Sequence, residues 1–180
     1  MASPSPERRS VAGFPVEVRN TRPDIDTAYV LARLAEALAL IGRHQPRALR
    51  RLRADVAGFD VRRYPCRGAL FTDTRVCLVE LTFLGTGRHA VAEIAATIVH
   101  EGMHARLARL GLSARPETLA REERLCREAE LEFGLAIPDG AVVVERARQS
   151  LALADAEVAP RIDWAQAQRN VERVDREERG

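Results

Sequence analysis

Five consecutive residues, His100-Glu101-Gly102-Met103-His104, restrict what this chain can fold into more than any other part of it. They fall in a stretch from about His89 to Leu110. Its residues Val91, Ile94, Ala95, Ile98, Gly102 and Ala105 recur at spacings of three and four, which predicts an amphipathic helix. Residues four apart on a helix lie one above the other. The two imidazoles can therefore reach a single metal ion. Glu101 is carried round toward the same side, where it can hold a water without binding the metal itself. His100 and His104 lie beside the apolar stripe, so the spacing places them at the edge of a core. Gly102 costs about 1 kcal/mol relative to alanine in a helix interior, and its small size lets another backbone pack close.

Two histidines do not complete a site. Metals in hydrolytic centres usually take three protein ligands and leave a fourth position open. The third ligand has to come from a second element packed on the first. A helix is expected from about Glu117 to Phe133, after a loop containing Pro116. On it Leu119, Glu123, Cys126, Glu130 and Phe133 share one face. Two carboxylates thus interrupt an apolar stripe, and buried carboxylates require partners. Glu123 is the first candidate for the third ligand and Glu130 the next; Glu122 points away from the shared face. Cys126 would close the site if it bound as well, although burial as a packing residue is the commoner role of a cysteine.

The pattern His100-Glu101-Gly102-Met103-His104 followed by Glu123, with the uncharged Thr97, Ile98 and Val99 before it, resembles the gluzincin group of zinc metallopeptidases. The short chain resembles the minimal scaffold called minigluzincin. The resemblance covers roughly residues 60 to 135, by motif order. It implies Zn2+ held by His100, His104 and Glu123. It implies Glu101 as the general base that takes a proton from a metal-activated water and hands it to the leaving amine. It also implies a peptide or protein substrate added as an extra strand beside the active-site helix; Arg75 to Leu84 holds that place in chain order. Two positions depart from the pattern. Arg127 stands where thermolysin-like enzymes often carry an aspartate that orients a ligand histidine, a duty that would pass to Glu130. No tyrosine or histidine follows His104. The oxyanion donor must then be an arginine, a backbone group, Tyr64 or His89. A zinc-binding but weakly active or inactive module for peptides or proteins is the alternative. A metal-free helical interaction domain is a third reading, which the embedded carboxylates argue against.

The remaining sequence predicts an α+β, zincin-like fold. A small mixed or antiparallel sheet packs on the active-site helix, with additional N- and C-terminal helices. Residues 1–12 read as a disordered tail and 13–180 as a single domain, a length sufficient for a real core. Phe14 to Arg19 alternates as a short edge strand. Asp24 or Asp26 caps a helix running to about Ile41, and Pro46 opens a second. Phe59 to Tyr64 and Gly68 to Phe71 read as strands. Arg75 to Leu84 is the clearest strand, with Cys77, Val79, Leu81 and Phe83 on one face. Helices are expected over Ala141 to Val158 and Asp163 to Glu178, the last packed through Trp164.

Composition argues against several classes of function. All 28 basic residues are arginine and the formal net charge is +2. With aromatics at 4% and arginines spread along the chain, no nucleic-acid partner is expected. Three cysteines without paired spacing argue for a reducing compartment, and hence a cytoplasmic protein. No apolar run reaches membrane-spanning length, and the Ser-, Pro- and Arg-rich start lacks the apolar core of a signal peptide.

Overall fold

The computed structural model describes residues 5–113, 118–159 and 163–177. The fold is α+β, with a mixed sheet of five strands and eight helices among the described residues. The strands are β1 (Glu7–Val11), β2 (Phe14–Arg19), β3 (Gly58–Arg62), β4 (Gly68–Phe71) and β5 (Val76–Glu80), in the spatial order β1-β2-β3-β5-β4. The pairs β2–β3 and β3–β5 are parallel; β1–β2 and β4–β5 are antiparallel. Register follows from apolar rows that run across the central strands. Val16, Phe59 and Cys77 form one row, and Val18, Val61 and Val79 the next. All six are buried. A slip of one residue would turn each row to the other face.

Two helices cover the apolar face. α1 (Thr27–His44) begins at Asp26, whose carboxylate accepts from the Ala28 N–H at 2.9 Å. It buries Val30, Leu34, Ala37, Leu38 and Ile41. α4 (Val91–Arg109) buries Ile94, Ala95, Ile98 and Ala105, and each large apolar side chain so removed from water contributes about 1.5–3 kcal/mol. Between them in sequence, α2 (Pro46–Asp55) has proline in its first turn, as expected. The fully buried carboxylate of Asp55 ties α2 to α4 through Arg109 and, at 3.6 Å, Arg106.

The structure corrects several sequence expectations. Residues 7–11 are not part of a disordered tail. They pair with β2 from Glu7↔Val18 to Val11↔Phe14. Ala12 and Gly13, both at positive φ, make the two-residue turn. The polar composition of this strand reflects an edge whose backbone, not its side chains, does the pairing. β2 is therefore interior. Arg75 to Leu84 is not one strand: β5 ends at Glu80, and Leu81–Gly85 is the short helix α3. The Glu80 carboxylate accepts from the Phe83 N–H at 2.8 Å and caps that helix. Leu81, Phe83 and Leu84 are buried in the helix, and the Leu81/Phe83 spacing also continues the strand's alternation, so alternation could not locate the change. Nor can β5 accept a substrate strand, because β3 and β4 occupy both of its edges. The edge strand packed against α4 is β4.

Beyond α4, Gly111 adopts φ +70 at the helix stop. Pro116 and Glu117 lie outside the described residues. α5 (Leu119–Ala136) follows and packs along α4. The stretch from Ala141 to Val158 is two helices, α6 (Ala141–Leu151) and α7 (Asp155–Val158), and α8 is Trp164–Glu177. α8 rests on the β3–β4 rim. Trp164 stacks on Tyr64 at 5.8 Å, and Asp175 accepts from Arg63 at 2.9 Å. Among the described residues, no helix is long and apolar enough to cross a membrane.

Candidate metal centre

α4 and α5 together form the floor of a cleft of about 760 Å³, bounded on one side by β4 and on the other by Val158, Ala159 and Trp164. His100, Glu101 and His104 enter from α4; Glu122, Glu123, Arg127 and Glu130 enter from α5. His100 and Glu101 are buried and His104 is half-buried.

Three of the expected residues come together. The Nε2 atoms of His100 and His104 lie 3.2 Å apart. Glu123 places Oε2 3.4 Å from His100 Nε2 and Oε1 3.3 Å from His104 Nε2. A tetrahedral ion bound at about 2.0–2.1 Å separates its ligand atoms by about 3.3 Å. The three spacings therefore fit a single zinc-sized ion. The thiol of Cys126 also lies close: its Sγ and one nitrogen of each histidine fall within 4.8 Å of one another, so His100, His104 and Cys126 could hold a metal ion. Cys126 is fully buried, and burial, followed by the nearby charge of Glu123, holds its pKa well above that of an ordinary thiol. Glu123 matches the ion's geometry and brings its own charge; Cys126 would first have to lose a proton.

Glu130, two turns beyond Glu123, fixes the orientation of His100. Its Oε1 lies 2.7 Å from His100 Nδ1. Burial works against ionisation of Glu130, but the hydrogen bond from His100 and the charges of His100, Arg127 and Arg146 outweigh it and lower its pKa. An ionised carboxylate can only accept, so Nδ1 carries the hydrogen and Nε2 points into the cleft. Arg127 at 2.6 Å and Arg146 at 3.1 Å hold Glu130 in turn. In the metal-free protein, burial pushes the His100 pKa down, but hydrogen bonds to Glu123 and Glu130 and the charge of Glu101 raise it overall to about 9. The same pair of histidines holds Glu123 far below the usual carboxylate range, against the effect of its own burial. A metal cation would replace the proton that these carboxylates now attract.

Glu101 stands differently. Burial raises its pKa, offset in part by His100 and His104, and no hydrogen bond contributes to the shift. Above it, β4 comes very close to α4 at Gly68. A β-carbon on Gly68 would lie 2.6 Å from Thr97 Cγ2 and 3.1 Å from Glu101 Oε1. Glycine here is what lets the edge strand reach the helix.

The sequence identified Glu130 as a second-rank ligand or orienting carboxylate, and the structure places it beside His100 Nδ1, on the side of the ring away from His104 and Glu123. Glu122 is buried and lines the cleft, contrary to the expectation from the helical wheel; Thr118 donates to it at 2.9 Å. Tyr64 and His89 do not line the cleft. Tyr64 packs on Phe71 and Trp164, and His89 faces Glu93 at 3.4 Å. Arginines 67, 127 and 146 do line it. Sequence reasoning missed Gly68 and Arg146; a lone glycine at the start of a strand was the only available signal for the first. Comparison with known proteins gave no match to any family model, curated protein or solved structure.

Proposed function

We propose that this protein is a zinc-dependent metallohydrolase, and most specifically a metallopeptidase of the gluzincin type. The observation that carries the reading is the convergence of two imidazoles and a carboxylate: His100 and His104 Nε2 lie 3.2 Å apart, and Glu123 sets one oxygen 3.4 Å from the first and its other oxygen 3.3 Å from the second, beside the otherwise uncommitted carboxylate of Glu101. Zinc held by these three residues would polarise a carbonyl and acidify a water at neutral pH. Glu101 accepts the proton of the attacking water, a role for which its raised pKa suits it, and returns that proton to the leaving amine. Glu130 holds His100 in the one tautomer that presents Nε2. β4, with its outer edge unpaired among the described residues, is where an extended peptide would add as a sixth strand. Arginines 67, 127 and 146 are the side-chain donors available to a developing oxyanion.

The proximity of Cys126 favours a second reading, a closed metal site that is structural and supports a binding module rather than an enzyme. Paired variants separate the two. Glu123→Ala should lose zinc measured by elemental analysis, and Glu101→Gln should keep it. In an assay with a mixture of unstructured peptides, Glu101→Gln should lower cleavage at least about 100-fold, in the range of a general base. Cleavage by Glu101→Gln at the wild-type rate would remove Glu101 from its role, and zinc retained by Glu123→Ala would remove Glu123.

A further inference from the structure

Away from the cleft, α2 carries a charge pattern the metal centre does not use. Between residues 43 and 55 there are five arginines and a single acid, Asp55. All five arginines, Arg43, Arg47, Arg50, Arg51 and Arg53, are exposed. Asp55 is fully buried and already neutralised by Arg106 and Arg109. Among the described residues, Arg43, Arg47, Arg50 and Arg51 have no carboxylate within ion-pair distance, and Arg53 only donates to the Ala12 carbonyl at 3.3 Å. On the helical wheel Arg47, Arg50 and Arg51 share the outward arc, opposite the partly or fully buried Ala48, Leu49 and Leu52. Composition alone hides this concentration, because the chain as a whole is nearly neutral and its arginines recur throughout.

We infer that the outer face of α2 is a docking surface for the phosphate backbone of a nucleic-acid duplex. A cluster of unpaired, exposed guanidiniums is suited to phosphate, which the planar fork can bind through two hydrogen bonds. Arg47 to Arg51 span about 6 Å of α2, and one strand of a duplex presents a charge about every 3.4 Å, so Arg47, Arg50 and Arg51 on their long side chains face about two to three phosphates. The surroundings select this partner over other polyanions. A membrane-surface helix needs exposed apolar residues to insert, and those of α2 face the core. A single-strand site needs aromatic rings on which bases stack, and residues 43–55 contain no Phe, Tyr or Trp. Base-reading amides are limited to Gln45, so binding is independent of sequence.

The test is fluorescence anisotropy of a labelled duplex of about 25 base pairs with the full chain, at about 50 mM and about 200 mM salt. Two to three phosphate contacts predict a Kd that weakens roughly 10- to 40-fold over that interval. R47Q/R50Q/R51Q should weaken binding at least about 10-fold at the lower salt, whereas R75Q/R88Q/R148Q, with the same change in net charge elsewhere on the surface, should change it less than about 3-fold. If the triple variant does not give a cooperative melt, R47Q/R51Q replaces it. Added zinc or chelator should leave the affinity unchanged, which keeps this result separate from that of the metal centre. The inference is overturned by no binding at the lower salt, by equal losses in the two variants, by tighter binding to a single strand, or by binding to phosphatidylserine vesicles without binding to the duplex.

Discussion

At the scale of the residue, the site depends on one carboxylate setting the tautomer of one histidine. Glu130 is almost completely buried, and its position 2.7 Å from His100 Nδ1 is maintained by Arg127 and Arg146. Glu130→Gln should therefore weaken zinc affinity by about 10–100-fold while leaving all three ligands in place, as read by competition with a chromogenic chelator. The pKa of His100 gives a second expectation. Its value of about 9 in the metal-free fold exceeds the ordinary 6.5, so its stabilising contribution is fully present below about pH 6.5 and is lost as pH rises through 9. Glu123 and Glu130 are depressed and stay ionised throughout that window. The Tm of metal-free protein should fall between pH 6.5 and 9, and zinc uptake near pH 7.5 should release about one proton from His100, measured by calorimetry in buffers of different ionisation enthalpy. A flat Tm and no proton release would contradict this. Much of this detail was legible in the chain. His100 and His104 were read from the spacing of the motif, and Glu123 from its place in an apolar stripe together with the gluzincin resemblance; the structure brings the three side chains together. Glu122 was misread because the wheel ranks faces by apolar residues alone and cannot include the Thr118 hydroxyl at the helix start that donates to it.

At the scale of the element, the informative contact is between β4 and α4. Gly68 permits it, since any β-carbon would collide with Thr97 and crowd Glu101. Gly68→Ala should push β4 outward, lower stability by about 1–3 kcal/mol in a denaturant melt, and reduce kcat more than KM with zinc content unchanged. An unaltered melt and unaltered kinetics would mean that the strand does not need this approach. Strand identity was legible where apolar residues alternate, as in Phe14 to Arg19, and the start of α1 was legible from its two candidate caps, of which Asp26 is the one used. Pairing order was not. Nothing local in Arg75 to Leu84 distinguishes an interior strand from an edge, since neighbours arrive from residues 58–62 and 68–71. The switch to α3 rests on the Glu80 side chain bonding to the Phe83 N–H, which the continuing alternation does not reveal.

At the scale of the whole molecule, a single apolar core supports two unlike surfaces: a cleft whose carboxylates converge on two imidazoles, and α2, packed on α4, whose arginines are exposed to solvent. The fold class was legible because periodicities of 2 and 3.6 are separated cleanly along the chain. The tail was misjudged because β1 contributes mainly backbone to the sheet. The central claim is that His100, His104 and Glu123 hold one zinc ion and leave it open to substrate. X-ray absorption at the zinc edge of the purified, zinc-loaded protein tests it most directly. The account predicts one ion per chain, surrounded only by nitrogen and oxygen at about 2.0–2.1 Å. A sulfur scatterer at about 2.3 Å would place Cys126 in the ligand shell and contradict an open catalytic site.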